Sequence, residues 1–342
     1  MAILVTGGAG YIGSHTVLML LKEQYEVIVL DNFHNSSVES LHRVKEITGS
    51  DICIINGDIR DRVILKSIFT ENSITDVIHF AGLKSVSDSI QFPTEYYDNN
   101  VYGTLVLIEE MISNNIKNLI FSSSATVYGT PEKIPVKETF PVGGTTNPYG
   151  TSKLMVENIL HDVSLAYPFF RTTILRYFNP VGAHPSGKIG EDPNGIPNNL
   201  MPYICSVASG KYKQLSIYGN DYETKDGTGV RDFIHVMDLA NGHIAALKHR
   251  DEGSNYKVYN LGTGHGYSVL ELLAAFQRIT SVNIPYVLVE RRAGDIAECW
   301  SDPSKAYLEL GWKACLGLDE MVRDAWNWQQ SNPDGYKFSE KN

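Results

Sequence analysis

Basic charge is what this chain is short of: 29 Lys and Arg stand against 39 Asp and Glu, a formal net charge of -10 over 342 residues. Nucleic acid and anionic membrane surfaces reward a basic stripe, and none runs through the sequence, so neither partner is expected. Cysteine is also scarce. Cys53, Cys205, Cys299 and Cys315 stand apart without a C-x-x-C spacing, which argues against a disulfide framework or a zinc site. No apolar run approaches the roughly 20 residues needed to cross a bilayer. The chain opens directly into a strand-like Ile3-Leu4-Val5, without the look of a signal peptide, so the cytoplasm is the expected address. His79 and His235 sit in apolar runs with no second His or Cys at metal spacing; they are expected as core histidines, and no metal is expected. Internal repeats and low-complexity segments are missing as well.

What is present is the composition of an ordinary globular protein, 43% hydrophobic and 20% charged. Its length exceeds what one hydrophobic core usually supports, which predicts two lobes. Short apolar runs at residues 3–5, 27–30, 52–55, 77–80, 119–121 and 173–175 alternate with helix-length amphipathic segments. That pattern predicts an α/β fold with a doubly wound parallel sheet. From about residue 179 to 230 the texture changes to Pro, Gly and Asn clusters such as Pro193-Asn194-Gly195-Ile196-Pro197, read as long loops over a site rather than sheet. Residues 258–261 then read as one more strand and 269–279 as a helix. The expected division is residues 1–178 with a returning segment at about 232–262, against a smaller lobe of 179–231 and 263–342.

Thr6-Gly7-Gly8-Ala9-Gly10-Tyr11-Ile12-Gly13 lies between the first strand and a helix-like run, so its glycines fall where a backbone must approach a pyrophosphate. Glycine tolerates the positive φ of such a turn, and a helix start offers free N–H groups to phosphate. The spacing is G-x-x-G-x-x-G rather than the commoner G-x-G-x-x-G of Rossmann folds. Asp31 closes the second strand 18 residues after Gly13, where a carboxylate can accept from both ribose hydroxyls. It would also repel a 2′-phosphate, which favours NAD over NADP. Asp58, after the third strand, could reach the adenine edge, and Phe80-Ala81-Gly82, after the fourth, could run beside the phosphates. All fall at carboxyl ends of strands, the edge where such sheets bind ligands.

Asn147-Pro148-Tyr149 starts a helix, with Asn147 as cap and Pro148 in the first turn. Tyr149 and Lys153, four residues apart, then share one face. Ser122-Ser123-Ser124 ends the fifth strand, which brings Ser124 to the same sheet edge as the glycine turn. A Ser hydroxyl, a Tyr phenol and a Lys ammonium beside a nicotinamide form a proton relay for alcohol oxidation. A tyrosine acting as base near neutral pH needs its pKa lowered by about three units, or roughly 4 kcal/mol, and nearby positive charge has the right sign.

Through residues 6–13, 122–129, 149–153, 177–180, 227–232 and 291–300, the chain resembles the extended short-chain dehydrogenase/reductase family, in its nucleotide-sugar 4-epimerase branch, over residues 2 to about 335. The resemblance implies a reaction without net redox. Tyr149 would remove the proton of the sugar 4-hydroxyl while hydride passes from C4 to NAD+. The 4-keto sugar would turn about its link to the diphosphate and take the hydride back on its other face, with NAD retained. Lys153 would tune Tyr149 and bind the nicotinamide ribose, and Ser124 would hydrogen-bond the reacting oxygen. The implied NAD contacts are Gly7, Gly10, Tyr11, Ile12, Gly13, Asp31, Asn32, Asn35, Asp58, Ile59, Phe80, Ala81, Lys84, Asn99, Ser122, Tyr149, Lys153 and Tyr177. For a UDP-sugar the implied contacts are Lys84, Ser124 and Tyr149 at the sugar end, Asn179, Asn199 and Leu200 near the nucleotide, Tyr218 at the uracil, Arg231 and Arg292 on the diphosphate, and Asp295 on the ribose. Two arginines far apart in sequence suit a dianion, since each guanidinium can fork onto phosphate oxygens. A homodimer packed through residues 95–114 and 148–166 is implied too.

One position departs from the pattern. Many hexose-restricted members carry a bulky Tyr where this chain has Cys299, beside Trp300. A small residue facing the sugar 2-position would leave room for an N-acetyl group, so UDP-N-acetylhexosamines are expected substrates alongside the unsubstituted pair. The rival readings are a nucleotide-sugar 4,6-dehydratase or decarboxylase, and a non-catalytic NAD-binding regulatory subunit. A dehydratase needs an acid and a base after the position of Ser124, where this chain has Ala125 and Thr126; a regulatory subunit of this fold lacks the Tyr and Lys that are present here. Galactose catabolism and surface polysaccharide synthesis both stay open as pathways.

Overall fold

The computed structural model describes residues 2–193, 195, 197–292 and 294–337. Asn194 and Ile196 of the Pro/Gly/Asn cluster, Ala293 of the 291–300 motif and residues 338–342 of the second expected lobe lie outside the described residues.

Six strands come from the first half of the chain: β1 (Ala2–Thr6), β2 (Glu26–Asp31), β3 (Cys53–Asn56), β4 (Ile74–His79), β5 (Asn118–Ser124) and β6 (Arg171–Tyr177). With Tyr256–Leu261 they form a seven-stranded parallel sheet in the order Tyr256–Leu261, β6, β5, β4, β1, β2, β3. Every residue of β1 is buried. Helices cover both faces of such a sheet, so its inner strands read as unbroken apolar runs. Alternation nevertheless sorts their side chains: Ile3 and Val5 join one core cluster, Ala2 and Leu4 the other, on opposite sides.

Strand β1 pairs with β2 through Leu4 opposite Ile28 and with β4 through Leu4 opposite Val77. The chain therefore winds outward from β1 in one direction and from β4 in the other. Connections leave the carboxyl ends of these two neighbours toward opposite faces, which opens a crevice between them.

The helix Pro148–Ala166 begins as its sequence predicts, with Asn147 Oδ1 accepting from Gly150 N at 2.9 Å and Pro148 in the first turn. Both core histidines are paired. His79 Nδ1 lies 2.6 Å from Thr6 Oγ1 and its Nε2 lies 2.8 Å from Thr104 Oγ1. His235 caps the helix Val236–Lys248 by accepting from Met237 N at 3.0 Å, and its Nε2 lies 3.1 Å from Asp324.

The stretch expected as loops, 179–230, holds more regular structure than its composition indicates. Asn179–Val181 pairs in parallel with Phe233–His235, Leu200–Ala208 is a helix, and Leu215–Tyr218 pairs with Tyr286–Val289. Strand Leu215–Tyr218 alternates buried and half-buried positions over only four residues. Pro and Gly neighbours mask so short a period, and the partners that complete these sheets lie far along the chain. Within residues 232–262 the helix Val236–Lys248 packs against Tyr11–Lys22, and Tyr256–Leu261 adds to β6 with Tyr259 opposite Leu175.

Candidate active site

The glycine turn after β1 is built by close approach. Gly7 has φ +70°, and a Cβ there would stand 2.6 Å from the backbone nitrogen of Ala81 at the end of β4. A Cβ on Gly13 would stand 2.3 Å from the carbonyl oxygen of Gly7. Gly10 is different: it is the N-cap of the Tyr11–Lys22 helix, no side chain caps that helix, and the nearest atom to a Cβ there is Gly7 O at 3.3 Å. The first-turn amides of Tyr11, Ile12 and Gly13 thus open at a bare helix start, which suits an anion.

Asp31 at the end of β2 has both carboxylate oxygens engaged. Oδ2 accepts from Ala9 N at 2.9 Å, while Oδ1 accepts from Phe33 N at 3.0 Å and Ser36 Oγ at 2.8 Å. The carboxylate therefore pins the glycine turn to β2 while Oδ2, with a single donor, keeps accepting capacity for a ribose hydroxyl. At the end of β3 Arg60 forks onto Asp58 at 2.8 and 2.7 Å, which holds that carboxyl well below the usual range. Asn32 donates to the same carboxylate at 2.9 Å. Ile59 is buried, Asn35 is exposed, and the ring of Phe80 packs 4.8 Å from that of His243. Bare amides, an open glycine and a carboxylate at successive strand ends fit a dinucleotide.

Beside this cradle stand the chemical groups. The hydroxyl of Ser124, last residue of β5, hydrogen-bonds the phenol of Tyr149 and accepts from Thr126 N at 3.3 Å. Burial raises the Tyr149 pKa above 10, with the Ser124 bond and the charge of Lys84 pulling it down. Lys153, one turn on, is 5% exposed and donates from Nζ to Ser122 O at 2.8 Å, 4.9 Å above the ring of Phe121. Burial lowers its pKa from 10.5 to about 8, against the pull of Glu157.

Lys153 was expected to tune Tyr149; the charge of Lys84, on the segment after β4, also bears on the phenol. The ammonium of Lys84 lies 2.9 Å from Glu191 and 5.9 Å from the ring centre of Tyr11. Tyr177, expected at the cofactor, directs its hydroxyl to His243 at 2.5 Å and to Ser122. Asn99 donates to Asn100 at 3.0 Å, and Asn100 accepts from Leu83 N at 2.8 Å and donates to Ser152 at 3.1 Å, tying the segment after β4 to the Tyr149 helix. This clamp falls on a π-helical turn, Tyr97–Tyr102.

The expected nucleotide contacts are spread over several elements. Asn179 is exposed at the start of its strand, and Asn199 donates to Glu191 at 2.8 Å just before the Leu200–Ala208 helix, which no side chain caps. The Arg292 guanidinium sits 3.9 Å from the ring centre of Tyr218. Arg231 donates to Val230 O at 2.8 Å, and Asp295 is exposed. Cys299 is 8% exposed, pairs across strands with Arg231, and packs with Val127, Tyr128 and Phe178.

Sequence reading missed three buried or half-buried groups that arrange these residues. Asp232, 0% exposed, accepts from Thr263 N and Oγ1 at 2.8 and 2.6 Å, Gly264 N at 3.1 Å, and Ser301 N and Oγ at 3.0 and 2.5 Å. Glu157 takes both arms of Arg176, at 3.0 and 2.6 Å, beneath Lys153. Glu191 joins Lys84 to Asn199. Position next to Arg231 could have marked Asp232, and the i+4 spacing from Lys153 could have marked Glu157; no local signal marks Glu191.

A model of a family described as Epimerase, the NAD dependent epimerase/dehydratase family, matches residues 3–262. The chain is 64% identical over 337 residues to a UDP-glucose 4-epimerase of Haemophilus influenzae, covering 98% of this chain and 100% of that protein. To a UDP-glucose 4-epimerase of Bacillus subtilis it is 58% identical over 340 residues, covering 99% and 100%. Among solved structures, a UDP-glucose 4-epimerase from Bifidobacterium longum in complex with NAD+ and UDP superposes with a TM-score of 0.95 at 56% identity, covering 98% of this chain and 100% of that one.

The depressed Lys153 carries a stability consequence. Between about 8 and 10.5 the unfolded chain binds a proton at this residue that the folded chain has released. Stability rises with pH wherever the unfolded state holds more protons, so the penalty for a buried ammonium, full below pH 8, is relieved across this window. Relative to Lys153→Met, the unfolding free energy of the parent protein should increase by up to about 3 kcal/mol on passing through it. Urea unfolding of both proteins at each end of the window measures this difference; a constant gap would show that Lys153 stays charged.

Proposed function

The chain belongs to the NAD dependent epimerase/dehydratase family, and we propose that it inverts C4 of UDP-hexoses, interconverting UDP-glucose and UDP-galactose through a transient 4-keto sugar. It is an isomerase that uses NAD without consuming it. The observation that carries this reading is the Tyr149 phenol, hydrogen-bonded by Ser124 and facing Lys84, at the sheet edge that also holds the bare helix start at Gly10.

Tyr149 takes the proton of the 4-hydroxyl and returns it. Ser124 holds the reacting oxygen in line with the phenol. When bound, NAD+ supplies the acceptor for the C4 hydride and a positive ring beside the phenol. Burial alone moves Tyr149 away from basic action. Positive charge must therefore outweigh it, and Lys84 is a cation of this chain whose charge acts on the phenol in that direction. Lys153, fixed on Ser122 O, presents its remaining N–H groups to the nicotinamide ribose. Arg231 and Arg292 hold the diphosphate while the sugar turns, Tyr218 stacks the uracil, and residues 179–231 and 263–342 supply these nucleotide contacts.

After Ser124 the chain enters a short helix, Ala125–Tyr128, whose first two residues offer neither acid nor base. Elimination at C5 and C6 has no catalyst there, which favours epimerisation over dehydration. The enzyme is proposed to act in the cytoplasm; no helix among the described residues is long and apolar enough to cross a membrane.

Tyr149→Phe should lower kcat by about 10²–10⁴ with UDP binding retained, read by epimer separation and by calorimetric titration with UDP. A variant that keeps its turnover would remove Tyr149 from the chemistry.

Cys299 packs in a cluster with Phe178; its side chain is small where a bulky one would crowd the sugar 2-position, and UDP-N-acetylglucosamine is proposed as a further substrate, converted to UDP-N-acetylgalactosamine. Cys299→Tyr should suppress that conversion and spare the hexose pair. Equal losses on both would show that residue 299 does not sense the substituent.

A homodimer is proposed through residues 95–114 and 148–166, where Tyr102 and Met155 are exposed at 47% and 42%. Sedimentation should return twice the 38.0 kDa chain mass; a monomer at micromolar concentration would overturn it.

A further inference from the structure

Glu191 is placed by its backbone before its side chain does anything. Its carbonyl accepts from Trp328 Nε1 at 3.0 Å, and Tyr336 Oη accepts from Gly190 N at 3.1 Å. Gly190 lies so close to Trp328 that a Cβ there would stand 2.4 Å from the indole. The C-terminal segment thus clamps this stretch from behind and aims the carboxylate, 8% exposed, into the cleft. A single oxygen, Oε1, accepts from Lys84 Nζ at 2.9 Å and from Asn199 Nδ2 at 2.8 Å.

Lys84 needs such a tether. It leaves the segment after β4 on a flexible four-carbon stem, with 57% of its side chain exposed. Unrestrained, an ammonium of that kind samples solvent rather than one point beside a phenol.

Resting on the assignment of Tyr149 as the base, we infer that Glu191 is a positioning residue: its carboxylate holds the Lys84 ammonium facing the Tyr149 phenol and, through the same oxygen, ties that ammonium to Asn199 at the start of the Leu200–Ala208 helix. The nucleotide end and the proton-transfer end of the cleft then share one carboxylate. The protein atoms crowded around the half-exposed Lys84 work against its charge, but Glu191 keeps its pKa above the ordinary value, so the cation is present wherever the tether is. The other groups interacting with Tyr149 are Ser124 from β5, by a hydrogen bond, and Tyr177 from β6 and Tyr96 from the Pro93–Tyr96 helix, by charge; Lys153 stands one turn along its own helix.

The direction of a pH shift separates positioning from bulk charge. Removing the Glu191 charge while Lys84 stays put leaves one negative charge fewer near the phenol, which lowers its pKa. If Lys84 swings away, the phenol loses its cation and its pKa rises. Glu191→Gln keeps an oxygen for Asn199 and removes the ion pair. In the holoenzyme, the acidic limb of the kcat profile should move up by about one pH unit, a loss of about ten-fold below the limb, with KM changed far less. Lys84→Met should move the limb in the same direction, and the double variant should shift no further than Lys84→Met alone, since the two residues act as one unit.

The phenolate absorbance in the near ultraviolet, titrated for each variant against its Tyr149→Phe counterpart, reads the same shift without turnover. A limb that stays put or moves down in Glu191→Gln, or additive shifts in the double variant, overturns the positioning role. If the phenolate titration shifts upward while even the parent protein fails to epimerise UDP-glucose, positioning stands and the functional reading falls.

Discussion

Strand β1 ends between two neighbours whose chains depart in opposite directions, and the turn at its end must fit against the backbone of β4. The 2.6 Å that a Cβ on Gly7 would leave to Ala81 N expresses that constraint. Because only glycine fits there, the next helix starts close over the sheet edge with its amides bare, and the crevice between β1 and β4 gains a positive floor. Asp31, bonded to Ala9 N, holds the turn to β2. Ser124 and Tyr149 reach the same edge from β5 and the helix that follows it. Each functional group is thus carried by a buried element, and its position inherits the rigidity of the sheet.

Beneath that edge the protein buries charge in pairs. Glu157 and Arg176, 2% and 4% exposed, meet in a two-point contact, with Ser123 donating to Glu157 at 2.5 Å and Arg176 donating to the Tyr128 hydroxyl at 2.9 Å. A buried pair of this sort contributes little net stability, yet losing one partner strands a charge and is costly. Its location explains its presence: it joins the Lys153 helix to β5, β6 and the short helix that follows Ser124. Asp232 does the equivalent work on the nucleotide side, where five donors converge on one carboxylate between Arg231, Asn179 and Cys299.

Two lysines near one phenol divide the electrostatic task. Lys153 is buried, bonded to a main-chain carbonyl and depressed toward pH 8, which makes it a fixed donor that carries its charge below that pH. Lys84 is tethered at its tip and keeps its charge. Burial pushes Tyr149 the wrong way for a base, so the cleft relies on positive charge near the phenol, and Lys84 brings some of it from outside the Tyr149 helix.

The parallel sheet, its strand order of appearance, the glycine turn, the cap at Asn147 and the juxtaposition of Ser124 with Tyr149 were all legible in the sequence. Each rests on local period, on glycine and proline stereochemistry, or on the rule that strand carboxyl ends share one edge. The short strands within 179–230 were not legible, because four residues carry too little period and their partners lie far along the chain. Nor was the part played by Lys84. Spacing on one helix pointed to Lys153, and only packing could show its ammonium bonded to Ser122 O and the charge of a second lysine acting on Tyr149. Glu191 lay beyond any pattern: Trp328 and Tyr336 aim it from the far end of the chain, so its role exists only once the chain is folded. The sequence by itself determined the periods, turns and strand-end chemistry that a few neighbouring residues encode. The tertiary structure alone decided which charges meet, because Coulomb interaction depends on distance in space and not on separation along the chain.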